Sequence, residues 1–171
     1  MPEAPLIAFE RPTLSRQADF AEMLAEWRGD PYDPFRGFLK SAWTDFPRYL
    51  AVIQDLRDGK GPLPNLVPMD TFWITEHGKL LGHITIRYAV AAEPQEMGGH
   101  VGYAVRPSAR GRGVATQALK QALELLRARG MKTVRITCDA GNAPSARVIE
   151  KCGGRRNGGS QTLLTYTIDF V

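Results

Sequence analysis

The stretch from residue 100 to residue 130 constrains the fold more than any other part of the chain. It opens with an alternating run, His100 to Arg106, that is typical of a β-strand and that stops at Pro107, which cannot donate to an interior ladder. From Gly113 the apolar residues recur every three or four positions, and Gly130 is placed to end the helix that this spacing predicts. A strand is therefore joined to an amphipathic helix by a loop of only a few residues.

The same alternation of strand and helix continues along the chain. Val134, Ile136 and Cys138 alternate with polar residues, and a helix is predicted from about Asn142 to Lys151. Strand, helix, strand, helix predicts a parallel pair of strands. The stretch 153–159 is rich in glycine and predicts a loop, and 161–170 predicts a last β-rich segment.

The first third of the chain predicts helices. An apolar stripe from Phe35 to Ile53 has helical spacing but contains Pro47, so we predict two helices, with Asp45 capping the second. Two β-branched and aromatic runs, 71–75 and 80–88, predict a hairpin. With 171 residues, no repeat and no linker, we expect one mixed α/β domain.

The composition limits the classes of partner that the chain is expected to bind. The 22 Lys and Arg exceed the 18 Asp and Glu by 4, which favours an anionic partner. The basic residues are scattered, which argues against nucleic acid. Only two cysteines are present, Cys138 and Cys152, so neither a disulfide framework nor a zinc site is expected. Without a secretory signal or a long apolar run, we expect a cytoplasmic protein with no membrane partner and no metal.

The loop before the predicted helix has the features of an anion site. The first N–H groups of a helix lack partners and lie at its positive end, and Gly111 and Gly113 let the backbone approach a ligand. Arg110 and Arg112 add charge that suits a pyrophosphate. The alternative is a plain turn with solvated arginines. A P-loop motif is absent, and Thr116 stands where a dinucleotide-binding loop needs a third small residue.

The sequence Arg110-x-x-Gly113-x-Ala115 resembles the pyrophosphate loop of the GNAT superfamily of acyl-CoA-dependent N-acetyltransferases. Residues 100–107 are similar to the family's fourth strand, and 142–153 to its Asn-x-x-Ala/Ser helix. The resemblance covers about 72–153. It implies a central mixed, mostly antiparallel sheet that is splayed between strands 4 and 5 and flanked by helices. It also implies a helical acceptor-side part over about 8–65, an acyl-CoA-binding core over about 70–153 and C-terminal strands over 154–171.

The resemblance also implies a set of cofactor-binding residues. Backbone amides in the loop would bind the CoA pyrophosphate, and strand 4 would pair with pantetheine through a free edge. The residues concerned are Tyr103, Ala104, Val105, Arg110, Gly111, Arg112, Gly113, Val114 and Ala115, with Thr116 adding a hydroxyl. Asn142 would face the same cleft near the sulfur of the cofactor, with Ser145 one turn further along the helix.

For the reaction, the resemblance implies direct transfer of an acetyl group from acetyl-CoA to a primary amine of a small molecule or a peptide. The position that commonly holds Glu in relatives is His100, which becomes the candidate general base because neutral imidazole accepts a proton. Glu93 and Glu96 are alternatives. A loop carrying Asp30, Tyr32 and Asp33 is a candidate site for the acceptor amine, and the neighbouring aromatics Trp27, Phe35, Trp73 and Tyr88 are expected to be mostly core.

The general acid is an open question. Relatives often place a tyrosine where this chain has Ile149, which can donate no proton. Tyr103 and Ser145 are weak candidates, and water, Cys138 or Cys152 are alternatives. A non-catalytic acyl-CoA-binding or regulatory module is therefore a second hypothesis. The sequence also leaves open the length of the acyl group and whether the chain forms a homodimer.

Overall fold

The computed structural model describes residues 5–61, 66–89 and 99–171. Within these ranges the chain forms seven strands and four α-helices: β1 (Ala8–Glu10), α1 (Gln17–Ala25), α2 (Phe46–Arg57), β2 (Met69–Glu76), β3 (Lys79–Arg87), β4 (Val101–Val105), α3 (Val114–Ala128), β5 (Thr133–Asp139), α4 (Ala143–Lys151), β6 (Arg155–Gly159) and β7 (Leu163–Asp169). Short 3-10 helices cover Leu14–Arg16, Gly37–Trp43 and Pro107–Ala109. The fold is mixed α/β, as predicted.

The strands form two antiparallel sheets, in the orders β1-β2-β3-β4 and β5-β7-β6. The predicted hairpin joins β2 to β3 through His77 and Gly78, which both adopt positive φ (49° and 78°), as a tight two-residue turn requires. Two of the strands were missed by the sequence analysis. β1 lies in the segment predicted to be helical, and β6 lies in the predicted loop, where every residue is exposed and no apolar alternation marks a strand.

The two sheets meet between β4 and β5 at one end only. The His100 N–H donates to the Arg135 carbonyl at 2.7 Å, and among the described residues no ladder joins the rest of the two strands. The parallel pair predicted from the order of elements is therefore wrong as a hydrogen-bonded pair: β4 and β5 form a fork. Gly99 lies at its closed end, where an added Cβ would come within 3.1 Å of the Thr137 nitrogen.

The core has two parts, one on each side of the first sheet. One is aliphatic and packs α3 and α4 against both sheets, with Leu119, Leu126 and Ile149 fully buried. The other is aromatic and packs α1 and α2 against β2 and β3. Helix α2 begins as predicted, because the Asp45 carboxylate accepts the Arg48 N–H at 3.0 Å and Pro47 lies in the first turn, where no N–H is required.

Candidate active site

The open end of the fork leads into a cleft of about 660 Å³. Its walls are β4, the loop before α3, the start of α4 and the segment 31–36. The residues predicted to bind cofactor lie together here: Tyr103, Ala104, Val105, Arg110, Gly111, Gly113, Val114, Ala115, Thr116, Asn142 and Ser145 all line the cleft. Arg112 is the one member of the predicted set that is not part of this lining.

The loop before α3 turns on two glycines. Gly111 and Gly113 have φ of 76° and 84°, in the left-handed region that residues with a Cβ avoid. Gly113 is the N-cap of α3, so the first N–H groups of the helix face the cleft without intrahelical acceptors. The loop therefore presents free backbone amides at the position where the sequence predicts an anion site.

The two arginines of this loop are both in ion pairs. Arg110 Nη1 lies 2.8 Å from Asp30 Oδ2, and Arg110 Nε donates to the Val105 carbonyl at 3.0 Å. Arg112 Nη2 lies 2.6 Å from Glu76 Oε2. The Arg110 guanidinium holds the pKa of the Asp30 carboxyl below its usual range. The Asp30 and Glu76 carboxylates therefore offset much of the positive charge of Arg110 and Arg112.

Three other cations line the cleft and were missed by the sequence analysis: Arg36, which donates to the Pro31 carbonyl, and Arg147 and Lys151. Arg147 and Lys151 are exposed on α4 and have no hydrogen-bond or ion-pair partner among the residues that the structure describes. They lie four positions apart on one helix face. Their four-residue spacing on the helix after Asn142 could have indicated two cations facing the cleft. The same spacing is also typical of an ordinary solvated helix surface.

Asn142, Ser145 and Tyr103 form a connected polar group at the start of α4. Asn142 Oδ1 accepts the Ser145 N–H at 3.2 Å, so it caps the helix. The Tyr103 hydroxyl lies 3.0 Å from Ser145 Oγ. Burial raises the pKa of Tyr103, so its phenol is protonated throughout the physiological pH range. The group therefore holds hydroxyl protons beside the cleft.

His100 lies at the closed end of the fork, where it is 6% exposed. Its Nδ1 accepts the Arg135 N–H at 2.9 Å, so the neutral ring carries its proton on Nε2 and has no free lone pair. The predicted role of His100 as general base does not fit this geometry. Burial also lowers the pKa of His100, which favours the neutral ring that accepts this bond.

A replacement of His100 by phenylalanine is expected to lower the free energy of unfolding by about 1–3 kcal/mol, because the Arg135 N–H loses its acceptor. The pKa of His100 is depressed in the folded state, so its stabilising effect is present above pH 6.5 and is lost as the pH falls below that value. Urea unfolding at pH 7.5 and 5.5 measures both effects. The same replacement at the exposed His77 is the control. Equal free energies of unfolding for the two variants would contradict the hydrogen bond assigned to His100.

The segment 30–36 places part of the predicted acceptor loop at the cleft. Tyr32 and Asp33 line it, and the Tyr32 hydroxyl donates to the Gly141 carbonyl at 3.4 Å. Trp27, Phe35 and Trp73 are buried in the aromatic core. Tyr88 lies elsewhere, with its hydroxyl donating to Asp70 at 3.1 Å. Glu93 and Glu96 lie outside the described residues.

The remaining candidates for the general acid are Cys138, which is buried, and Cys152, which is half-buried. Ile149 is fully buried and packs in the aliphatic core. Burial raises the pKa of both thiols, Cys138 and Cys152, and the Cys152 thiol donates to the Thr116 carbonyl at 3.8 Å. Neither cysteine lines the cleft. Both pack in or against the aliphatic core.

The model of the acetyltransferase (GNAT) domain family matches residues 11–155 of this chain. The chain belongs to the GNAT acetyltransferase family. The match covers the loop before α3, both strands of the fork and the whole of α4. No curated protein matches the chain.

Solved GNAT structures share the fold over nearly the whole chain. RimJ of Mycobacterium smegmatis, in complex with CoA-disulfide, is 20% identical, with a TM-score of 0.72 over 96% of this chain and 82% of its own. The microcin C7 self-immunity acetyltransferase MccE, in complex with acetyl-CoA and AMP, is 14% identical, with a TM-score of 0.68 over 96% and 92%. RimL, a ribosomal L7/L12 alpha-N-protein acetyltransferase in complex with CoA, is 14% identical, with a TM-score of 0.64 over 98% and 96%.

Two further observations concern only the described residues of this GNAT domain. No helix there is long and apolar enough to cross a membrane. No group of three or more His, Cys, Asp or Glu side chains there is arranged to hold a metal ion.

Proposed function

We propose that this GNAT domain transfers an acetyl group from acetyl-CoA to a primary amine by direct attack within a ternary complex. The observation that carries the proposal is the fork between β4 and β5, which opens onto the N-terminus of α3 in one cleft. Peptide or protein amines are the favoured acceptors, because RimL and a structural neighbour from Vibrio cholerae bear the names of ribosomal-protein acetyltransferases.

The cofactor fits the residues that line the cleft. The N–H groups at the start of α3 would bind the pyrophosphate, since several donors converge at the positive end of a helix. One edge of β4 pairs with β3, and the other edge faces the open fork. The backbone groups of Tyr103 and the N–H of Val105 would pair with pantetheine as an added strand would, while the Val105 carbonyl accepts from Arg110. The same edge would hold the thioester carbonyl while its oxygen gains charge.

Ser145 is the candidate that would return a proton to the departing thiolate. Its hydroxyl lines the cleft and shares a hydrogen bond with Tyr103, which can replace the proton that Ser145 gives up. Asn142 fixes the position of Ser145 by accepting its N–H. Because Ile149 is buried and carries no donor, this pair would take the role that the tyrosine has in relatives.

A screen of primary amines and peptides with acetyl-CoA, followed through release of free thiol, tests the proposal. A replacement of Ser145 by alanine is expected to lower kcat by about 10-fold or more while the Kd for CoA stays within about twofold, since proton transfer is lost and the loop amides remain. The exposed Ser15 lies outside the cleft, and its replacement by alanine is the matched control. Equal kcat in the two variants would exclude Ser145 as the acid.

The second hypothesis, a non-catalytic acyl-CoA-binding module, is favoured by the occupied lone pair of His100 and by the absence of a donor at Ile149. The same screen of amines with acetyl-CoA distinguishes the catalytic from the non-catalytic hypothesis. A protein that binds acetyl-CoA in calorimetry and yet releases no thiol with any amine would be such a module. A protein that binds no acetyl-CoA at millimolar concentration would contradict both hypotheses.

A further inference from the structure

A second histidine lies beside the cleft, on the acceptor side of the first sheet. His83 of β3 pairs directly with Ala104 of β4, and Ala104 lines the cleft. Residues paired across antiparallel strands point to the same face of the sheet, so the His83 ring lies next to the Ala104 methyl group. His83 is therefore one strand away from the edge that would bind pantetheine.

His83 has a buried ring nitrogen with no partner among the described residues. The side chain is 4% exposed, and its Nδ1 has no hydrogen-bond partner within the described part of the chain. Burial lowers the pKa of His83 to about 4, so the ring is neutral at pH 7. Buried polar atoms in native proteins are almost always paired, and an exception therefore needs an explanation.

Phe35 packs against this histidine, and its chain neighbours lie at the cleft. The two ring centroids lie 5.1 Å apart, and the chain neighbours of Phe35, Pro34 and Arg36, both line the cleft. Phe35 also packs on Trp27, whose Nε1 is another buried atom without a hydrogen-bond partner among the described residues. A single apolar ring thus packs against two side chains that each carry an unpaired buried nitrogen atom.

The segment that carries Phe35 is attached to the cleft by few polar contacts. Asp30 pairs with Arg110 at the partly exposed mouth, and the Tyr32 hydroxyl reaches Gly141 at 3.4 Å. The other polar contacts of the segment are internal, such as the Asp33 carboxylate accepting the Phe35 N–H, or join it to the Trp27 carbonyl and the Leu39 N–H nearby in the chain. A shift of the segment would break no sheet or α-helix, and it would separate the buried Phe35 ring from Phe20 and Tyr49.

We propose that the acceptor amine displaces the Phe35 ring and that Nδ1 of His83 takes the proton of the amine nitrogen as the amide bond forms. The inference rests on the proposed acetyltransferase function and names a base other than His100. The amine lone pair forms the C–N bond with the thioester carbon, the C–S bond breaks, and CoA leaves as the thiolate. The proton passes from nitrogen to His83, and a second proton from the Ser145 pair or from water neutralises the thiolate.

The test compares H83Q with H77Q, since His77 is an exposed residue of the β2–β3 turn. The glutamine side chain in H83Q would retain hydrogen-bonding atoms but could not accept a proton at neutral pH. With an amine that wild type acetylates, kcat of H83Q is expected to fall about 100-fold or more, with the Kd for CoA unchanged. H77Q is expected to match wild type. A folded H83Q with kcat within about threefold of wild type would overturn the assignment and leave the acetyltransferase function standing.

A second measurement applies even if H83Q does not fold. The chain has three histidines, so the ring signals of wild type labelled with ¹⁵N-histidine can be assigned. The accepted amine, added to saturation with CoA, is expected to shift the His83 signals and to leave those of His77 unchanged. Unchanged His83 signals would also overturn the assignment. A wild type that binds acetyl-CoA but acetylates no amine would instead refute the proposed function, and this inference with it.

Discussion

A replacement of Gly113 by glutamate is expected to weaken CoA binding by about 100-fold or more, which corresponds to about 3 kcal/mol. Two effects act together. The residue has φ of 84°, so any side chain strains the turn that presents the α3 amides. The added carboxylate would also compete with the pyrophosphate for those amides and repel it. Calorimetry with CoA measures the loss.

Gly130 provides the matched control for this variant. It has nearly the same φ, 83°, has open space around its Cβ position, and lies at the other end of α3. A replacement of Gly130 by glutamate therefore introduces the same strain and charge outside the cleft. It is expected to bind CoA with the wild-type Kd. If both variants bind CoA like wild type, the loop before α3 is not the phosphate site.

A replacement of Arg106 by alanine is expected to lower the free energy of unfolding by about 1.5–3 kcal/mol, because the hydrogen bonds that its buried guanidinium donates to two carboxylates and a carbonyl are lost. Its side chain is 4% exposed and donates to Glu26 at 2.7 Å, to Glu22 at 3.0 Å and to the Leu80 carbonyl at 3.0 Å. Glu26 also accepts the Ser108 N–H at 2.8 Å. The network thus ties α1 to the end of β4.

The dependence of stability on pH in acid is a second test of the same network. Hydrogen bonds from Arg106 and Ser108 outweigh the effect of burial and lower the pKa of Glu26 to about 2. The stabilising effect of Glu26 is therefore complete above its ordinary pKa of 4.5 and is lost as the pH falls from there toward 2. In the Arg106→Ala variant, urea unfolding between about pH 5 and pH 3 is expected to show a weaker dependence on pH than in wild type.

Arg155 is the control for this prediction. It pairs with Asp169, and both side chains are well exposed. Its replacement by alanine is expected to change the free energy of unfolding by less than about 1 kcal/mol. A loss at Arg106 no larger than the loss at Arg155 would contradict the proposed role of the network.

The elements that the sequence predicted well are those set by local chemistry. The amphipathic pattern of α3, the Asp45 cap and the glycines 111 and 113 each act within a few residues, so their effect can be read from neighbouring positions. The family resemblance rested on the same local motifs. It located most of the cleft residues because the loop before α3 and the start of α4 are each a short continuous segment of the chain.

The features that the sequence analysis missed depend on partners far apart in the chain. Nothing near Arg110 indicates that Asp30, eighty positions earlier, accepts its hydrogen bond. The Arg135 N–H uses the lone pair that His100 would need as a base, and strand packing alone brings those two residues together. β6 was missed for another reason: all of its residues are exposed, so no apolar pattern marks it.

The ion pairs of Arg110 and Arg112 have a consequence for how a polyanion would reach the cleft. A guanidinium beside a carboxylate is close to a dipole, and the field of a dipole weakens with distance faster than that of a free charge. These two arginines therefore contribute little to long-range steering. The net charge of +4 attracts an anionic ligand from a distance through the chain's other cations, and capture in the loop depends on short-range contact with the backbone.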